Sequence, residues 1–171
     1  NPVEGQVWYN TTSNTVKGLV NNPGSWSTGG ALNTARSSVG GVGIQTAALA
    51  FGGFAPSVPG STAITESYNG TAWTEVNDLG TARYAMGGAG TQTAALAFGG
   101  RAPPLGVVAL TETWNGTNWT EVNDLNTARR YLAGAGTNTA ALAFGGGPGS
   151  SALTESWNGT NWTEVNDLNT A

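Results

Sequence analysis

Residues 93–100, TAALAFGG, set Ala94, Leu96 and Phe98 in alternation with Ala95 and Ala97. Period-two alternation predicts a β-strand with one bulky face and one small face, and the small face suits close approach of a neighbouring sheet. The same phrase stands at residues 46–53 and 139–146. Other short β-prone runs bounded by Gly, Asn or Thr surround it, so this part of the chain reads as four strands at 83–89, 93–100, 109–115 and 119–124. Asn115-Gly116, repeated at Asn69-Gly70 and Asn158-Gly159, predicts a tight type I′ turn between the third and fourth strands. The glycine pairs beginning at Gly52, Gly99 and Gly145 end the second strand, where backbones crowd or turn sharply.

These runs belong to a repeat. TESWNGTNWTEVNDLNTA at 154–171 recurs at 111–128 and, slightly altered, at 65–82, and a weaker copy, WSTGGALNTAR, occupies 26–36. The second tryptophan of each copy falls at Trp73, Trp119 and Trp162 behind Trp26, in steps of 47, 46 and 43 residues. A fixed period of this size marks a repeat architecture. Arginine precedes the first glycine of the pair by 16 residues in all three units (Arg36, Arg83, Arg129), and Glu66, Glu112 and Glu155 precede the tryptophan by 7. Only the segment after Gly-Gly changes length: FAPSVPGSTA, RAPPLGVVA and GPGSSA. In an antiparallel meander that segment shares one face with the connections between units, so one face carries the variation. Residues 1–25 stand apart. Runs at 6–10 and 15–20, joined by TTSN, predict a hairpin, and NNPGS is loop.

Composition narrows the function classes. The 171 residues include 27 Gly and are only 9% charged, which could suggest disorder, but seven Trp and a strict repeat favour folded β-structure. The net charge is −4, and one Lys with five scattered Arg makes no footprint for nucleic acid. No signal peptide is read at the N-terminus, and no apolar run is long enough for membrane insertion. Cys and His are absent, which removes disulfides, thiolate and imidazole metal ligands, and the commonest general base. The chain therefore reads as non-enzymatic, without catalytic residues, metal or cofactor.

Several residues still invite a chemical reading. Glu121 and Asp124, with Glu75 and Asp78 and with Glu164 and Asp167, have oxygens that suit Ca²⁺; lacking a compact acidic loop, they read better as solvated strand ends. Glu112 and Arg129, with their repeats, are expected to form ion pairs bracing adjacent strands. Sequons at Asn10, Asn69, Asn115, Asn118, Asn158 and Asn161 are acceptors for glycans if the host glycosylates, although Asn-Gly also serves the turn. The loops that vary hold the candidate recognition residues Phe54, Pro56, Pro59, Arg101, Pro103, Pro104 and Leu105.

The succession of Arg, Gly-Gly, Glu-x-Trp/Tyr and Trp-x5-Leu-x3-Arg resembles the Kelch repeat of β-propellers over residues 26–171. The resemblance implies an all-β fold of Kelch-type propeller blades: three full four-stranded blades at about 37–79, 83–125 and 129–168, plus a partial N-terminal blade. It makes Gly52, Gly53, Gly99, Gly100, Gly145, Gly146, Tyr68, Trp73, Trp114, Trp119, Trp157 and Trp162 structural repeat residues. Three units fall short of the usual Kelch ring. The expected ways out are a fourth, incomplete blade in a small propeller, completion by oligomerisation, or a chain that is a fragment. The last copy stops at Thr170-Ala171, where the others run on into Arg, and this favours a truncated or assembly-dependent module. Near-identical copies rich in Thr, Asn and Gly, with EGQVWYNTTSNTVKGL, also resemble repeat-bearing appendage and tail-fibre-like proteins of bacteriophages, especially marine ones. That resemblance implies a structural, adhesive virion or extracellular component that self-assembles as a homo-oligomer and displays loops to a host-surface glycan or protein. The alternative is a secreted, lectin-like or protein-binding Kelch module.

Overall fold

The computed structural model describes residues 7–10, 15–18, 28–56 and 60–170, and every regular element among them is a strand. Strands β1 (Val7–Asn10) and β2 (Thr15–Gly18) pair antiparallel as the N-terminal hairpin; its connecting TTSN, Trp26 and Pro59 lie outside the described residues. Three antiparallel sheets follow. Unit 1 is β3 (Gly40–Ile44), β4 (Ala47–Phe51), β5 (Thr65–Tyr68) and β6 (Trp73–Val76). Unit 2 is β7 (Gly87–Gly90), β8 (Ala95–Phe98), β11 (Thr111–Trp114) and β12 (Trp119–Val122), and its long connection adds the two-residue strands β9 (Arg101–Ala102) and β10 (Gly106–Val107). Unit 3 is β13 (Ala133–Gly136), β14 (Ala141–Phe144), β15 (Thr154–Trp157) and β16 (Trp162–Val165). Within each sheet the four strands pair in chain order, as a meander.

Two local expectations are corrected. The first strand of unit 2 does not start at Arg83 but at Gly87, because Tyr84 is held in an isolated bridge to Arg101 and Ala85 adopts a positive φ of 56°, which interrupts extended backbone. The Asn-Gly turn is also not type I′, which needs positive φ at both central residues. Only Gly116 is positive, at 93°, and Trp114 pairs with Trp119 across a four-residue loop. Asn115 Oδ1 accepts hydrogen bonds from the N–H groups of Thr117 (2.9 Å) and Asn118 (2.8 Å), so the Asn side chain itself builds the turn. Asn69 and Asn158 do the same.

The bulky and small faces of the second strand decide how units meet. Leu49 and Phe51 of unit 1 pack on Ala95, Ala97 and Trp114 of unit 2, joined by Leu79 and Met86. Leu96 and Phe98 of unit 2 pack on Ala141, Ala143, Trp157 and Trp162 of unit 3, joined by Leu125 and Leu132. The core therefore lies between sheets, each unit giving its bulky face to the small face of the next. The first strands converge, with β7 packed against both β3 and β13. Their Gly and Ala composition is required there: a Cβ on Gly88 would lie 2.9 Å from the Phe51 ring and 3.1 Å from Val42 Cγ1, and one on Gly134 would strike the Gly88 carbonyl.

Candidate functional site

The residues that repeat are occupied by structural contacts. Glu112 is 3% exposed, pairs with Arg83 (0% exposed) and accepts the Gly80 N–H at 2.7 Å. Glu155 pairs with Arg129 at 2.9 Å and accepts the Asn126 N–H at 2.7 Å; Glu66 pairs with Arg36 at 3.0 Å. The expected pairing of Glu112 with Arg129 is thus corrected: each Arg forms an ion pair with the Glu of its own unit, because it enters the sheet beneath its own second and third strands. Arg129 confirms the geometry, donating to the carbonyls of Gly145 (2.9 Å) and Leu153 (2.7 Å). Burial pulls the Arg36 guanidinium below its ordinary value, with Glu66, Asp78 and Glu75 opposing.

The acidic residues near the strand ends are used in a similar way. Asp78, Asp124 and Asp167 accept the N–H of Thr65, Thr111 and Thr154 at 3.0, 2.9 and 3.0 Å. Glu75, Glu121 and Glu164 are exposed and lie across the strand pair from the buried Glu66, Glu112 and Glu155. Among the described residues no cluster of three or more His, Cys, Asp or Glu forms that could hold a metal ion.

Tryptophans and glycine pairs couple one unit to its neighbour. Trp119 Nε1 donates to Thr65 Oγ1 at 3.0 Å, and Trp162 Nε1 to Thr111 Oγ1 at 3.1 Å. Their rings meet Phe51 and Phe98 edge-on, centroids 5.0 Å apart in both pairs. Trp73, at the start of the stack, donates instead to the Gly30 carbonyl at 3.1 Å. The Trp114 and Trp157 rings are buried, with their N–H groups on the carbonyls of Gln92 and Asn138, and Tyr68 stacks on Trp73 at 5.0 Å. Gly53 and Gly100 donate to the Arg83 and Arg129 carbonyls of the following unit at 2.9 and 2.7 Å. Near the rim, Asn77 and Asn123 Nδ2 donate to Asn118 and Asn161 Oδ1, both at 2.8 Å. Five of the sequon asparagines, Asn69, Asn115, Asn118, Asn158 and Asn161, are exposed, with their side-chain oxygens in these turns and bridges, and the backbone of Asn10 ends β1.

What does not repeat gathers at one end. Ser37, Tyr84 and Arg130 bridge to Phe54, Arg101 and Gly147, the residues just after each glycine pair, so connections between units and the varying loops form one surface. Phe54 is 41% exposed and meets Tyr84 edge-on at 6.0 Å; Leu105 is 71% exposed at the tip of the β9–β10 ribbon. Pro56, Arg101, Pro103 and Pro104 are exposed, the last two joined by a cis peptide bond. Tyr131 is 63% exposed, with the Arg130 guanidinium 5.3 Å from its ring centroid. Beneath this surface Ser38, Ala85 and Tyr131, at φ of 53°, 56° and 57°, form a ladder: Ala85 N–H donates to Ser38 O at 2.9 Å and Tyr131 N–H to Ala85 O at 2.7 Å.

Tyr84, Arg130 and Tyr131 are functional candidates that the loops alone do not include. The signal for them is in the repeat itself: after the repeated Arg, the two following residues read Ser-Ser, Tyr-Ala and Arg-Tyr, changing in size, polarity and charge from unit to unit. In chemical terms the described residues of this surface offer aromatic rings, two guanidinium groups and apolar tips. A scan against protein-family models found no match, and a search of the curated proteins found none.

Proposed function

We propose that this chain is a non-enzymatic structural and adhesive protein, a row of Kelch-type propeller blades in a phage virion or other extracellular appendage, which self-assembles and displays its variable end for attachment. The observation that carries this reading is the division of labour between residues. The repeated Arg, the buried Glu66, Glu112 and Glu155, the Asp, and the Trp and Gly-Gly residues between units serve packing, whereas the length differences and the side chains Phe54, Tyr84, Arg101, Leu105, Arg130 and Tyr131 lie on one end. Surfaces that vary on a constant scaffold are where repeat proteins bind. The Kelch assignment is supported by four-stranded meanders, glycine pairs closing each second strand, first strands that converge, and tryptophans that reach the preceding sheet. The virion setting rests on the resemblance of the repeats and of the N-terminal phrase to phage appendages.

A glycan-binding module is the second reading, favoured by one observation, the exposed Tyr131 ring with Arg130 beside it. The repeated Trp114, Trp157 and Trp162 are buried and have no face free for a sugar. Binding of the chain to a panel of bacterial surfaces and to a glycan array tests both. Leu105→Asp and Tyr131→Ala are expected to lose attachment while circular dichroism stays unchanged. Attachment that survives both changes would overturn the assignment of the variable end.

A further inference from the structure

The two interfaces between successive units are one interface made twice, and the chain carries both halves of a third. The back half lies on unit 3. Leu142 and Leu168 are 41% and 44% exposed, whereas their counterparts Leu96 and Leu125 in unit 2 are 0% and 4% exposed. Gly52 and Gly99 press on Met86 and Leu132 of the following unit, while Gly145 has only Ser151 and Leu168 within reach. A hollow of about 430 Å³, lined by Arg130, Tyr131, Gly145, Gly146 and Leu168, stands where that side chain enters. Among the described residues Gly146 N–H has no acceptor, although Gly53 and Gly100 each bind an Arg carbonyl. The front half lies on unit 1. Val39, in the position of Met86 and Leu132, is 37% exposed, and a hollow of about 480 Å³ opens between Leu32, Val39, Ala48, Ala50 and Trp73.

We propose that the back face of unit 3 receives the front face of unit 1 of a second copy of this chain, head to tail. The proposal deepens the assembly part of the reading above and rests on it. The occupant is chosen by register: Arg36-Ser37-Ser38-Val39 matches Arg83 to Met86 and Arg129 to Leu132 position for position. Docked as the internal units are, Gly146 N–H donates to the incoming Arg36 carbonyl and Val39 fills the hollow beside Gly145. Trp73 lies on Phe144 with Nε1 on Thr154 Oγ1, and Ser38 N–H on Tyr131 O adds a rung to the ladder.

One segment stands in the way. Gly30 O already holds Trp73 Nε1, taking the place that Thr65 and Thr111 hydroxyls fill inside the stack. Residues 28–32 are therefore a plug. The overlapping stretch 31–35, ALNTA, matches 167–171, DLNTA, so the receiving copy supplies the equivalent that displaces the plug of the incoming unit 1. The fit is heterologous, and such contacts propagate into filaments or close into rings according to the rotation per copy.

Sedimentation of the whole chain over a range of concentrations, with Leu142→Asp on the back face and Val39→Asp on the front, tests the proposal. The unaltered chain is expected to grow with concentration, and each variant alone to stay monomeric. The two variants mixed should form a 1:1 dimer and stop, because one intact junction remains. Leu168→Asp replaces Leu142→Asp if circular dichroism shows the latter unfolded. An unaltered chain that stays monomeric throughout, or a Val39→Asp variant that still self-associates, overturns head-to-tail docking. Surface attachment by monomeric Val39→Asp would leave the display reading intact, so the two failures are told apart.

Discussion

Changing Glu112 to Gln removes one charge from a buried ion pair and leaves the Arg83 guanidinium, 0% exposed, facing a neutral amide. Removing one partner of a buried pair costs about 3–5 kcal/mol, because the remaining charge has lost its compensation inside a low dielectric. Gln keeps an oxygen for the Gly80 N–H, now 2.7 Å from the carboxylate, so the lower end of that range is expected for it. Glu112→Ala also strands this donor, adding about 1–3 kcal/mol. Against a domain stability of about 5–15 kcal/mol, either change should be plain in the urea midpoint followed by circular dichroism and tryptophan fluorescence. Arg83→Met removes the orphaned charge as well. The double variant Glu112→Gln/Arg83→Met should then be more stable than the sum of the single effects by at least about 1 kcal/mol, the coupling expected of residues in contact. A Glu112→Gln cost below about 1 kcal/mol, or strict additivity, would refute the claim that this pair holds the unit together.

Two further outcomes probe the contacts between units. Trp119→Phe keeps an aromatic ring beside Phe51 but loses packing volume and the bond to Thr65; the part due to the bond, about 1 kcal/mol, should be absent in a Thr65→Val background, measured by urea unfolding. Gly99→Ala should destabilise far more than Gly145→Ala by thermal melting: both sites have positive φ, but a Cβ at 99 lies 2.5 Å from the Arg129 carbonyl, whereas at 145 the nearest atom is 3.7 Å away. Equal losses would mean that the backbone angle, not the neighbouring unit, fixes the glycine.

The alternation of Leu96 and Phe98 with Ala95 and Ala97 was sufficient to foresee both the strand and the close approach of sheets, because period and volume are local properties of the chain. Fixed spacings likewise placed the glycine pairs and tryptophans at equivalent points of every unit. Partner choice was not legible in the same way. Glu112 lies 29 residues after Arg83 and 17 before Arg129, and only the order of strands in the sheet decides between them. The left-handed ladder of Ser38, Ala85 and Tyr131 has no glycine to announce it in the sequence; its members are joined by hydrogen bonds between neighbouring units. The Asn-Gly loops show a third kind of loss. The Asn-Gly dipeptide points to tolerance of positive φ, but at Asn115 the side-chain oxygen, not the backbone, makes the turn.

The Trp-to-Phe contact between units has a genetic consequence. Trp119 on Phe51 and Trp162 on Phe98 are joined in the same register and with the same ring geometry. Unequal crossing-over between any two equivalent codons therefore regenerates a complete junction wherever the breakpoint falls. The number of units can drift between generations without redesign of a core, while the surface after each Arg diversifies on its own.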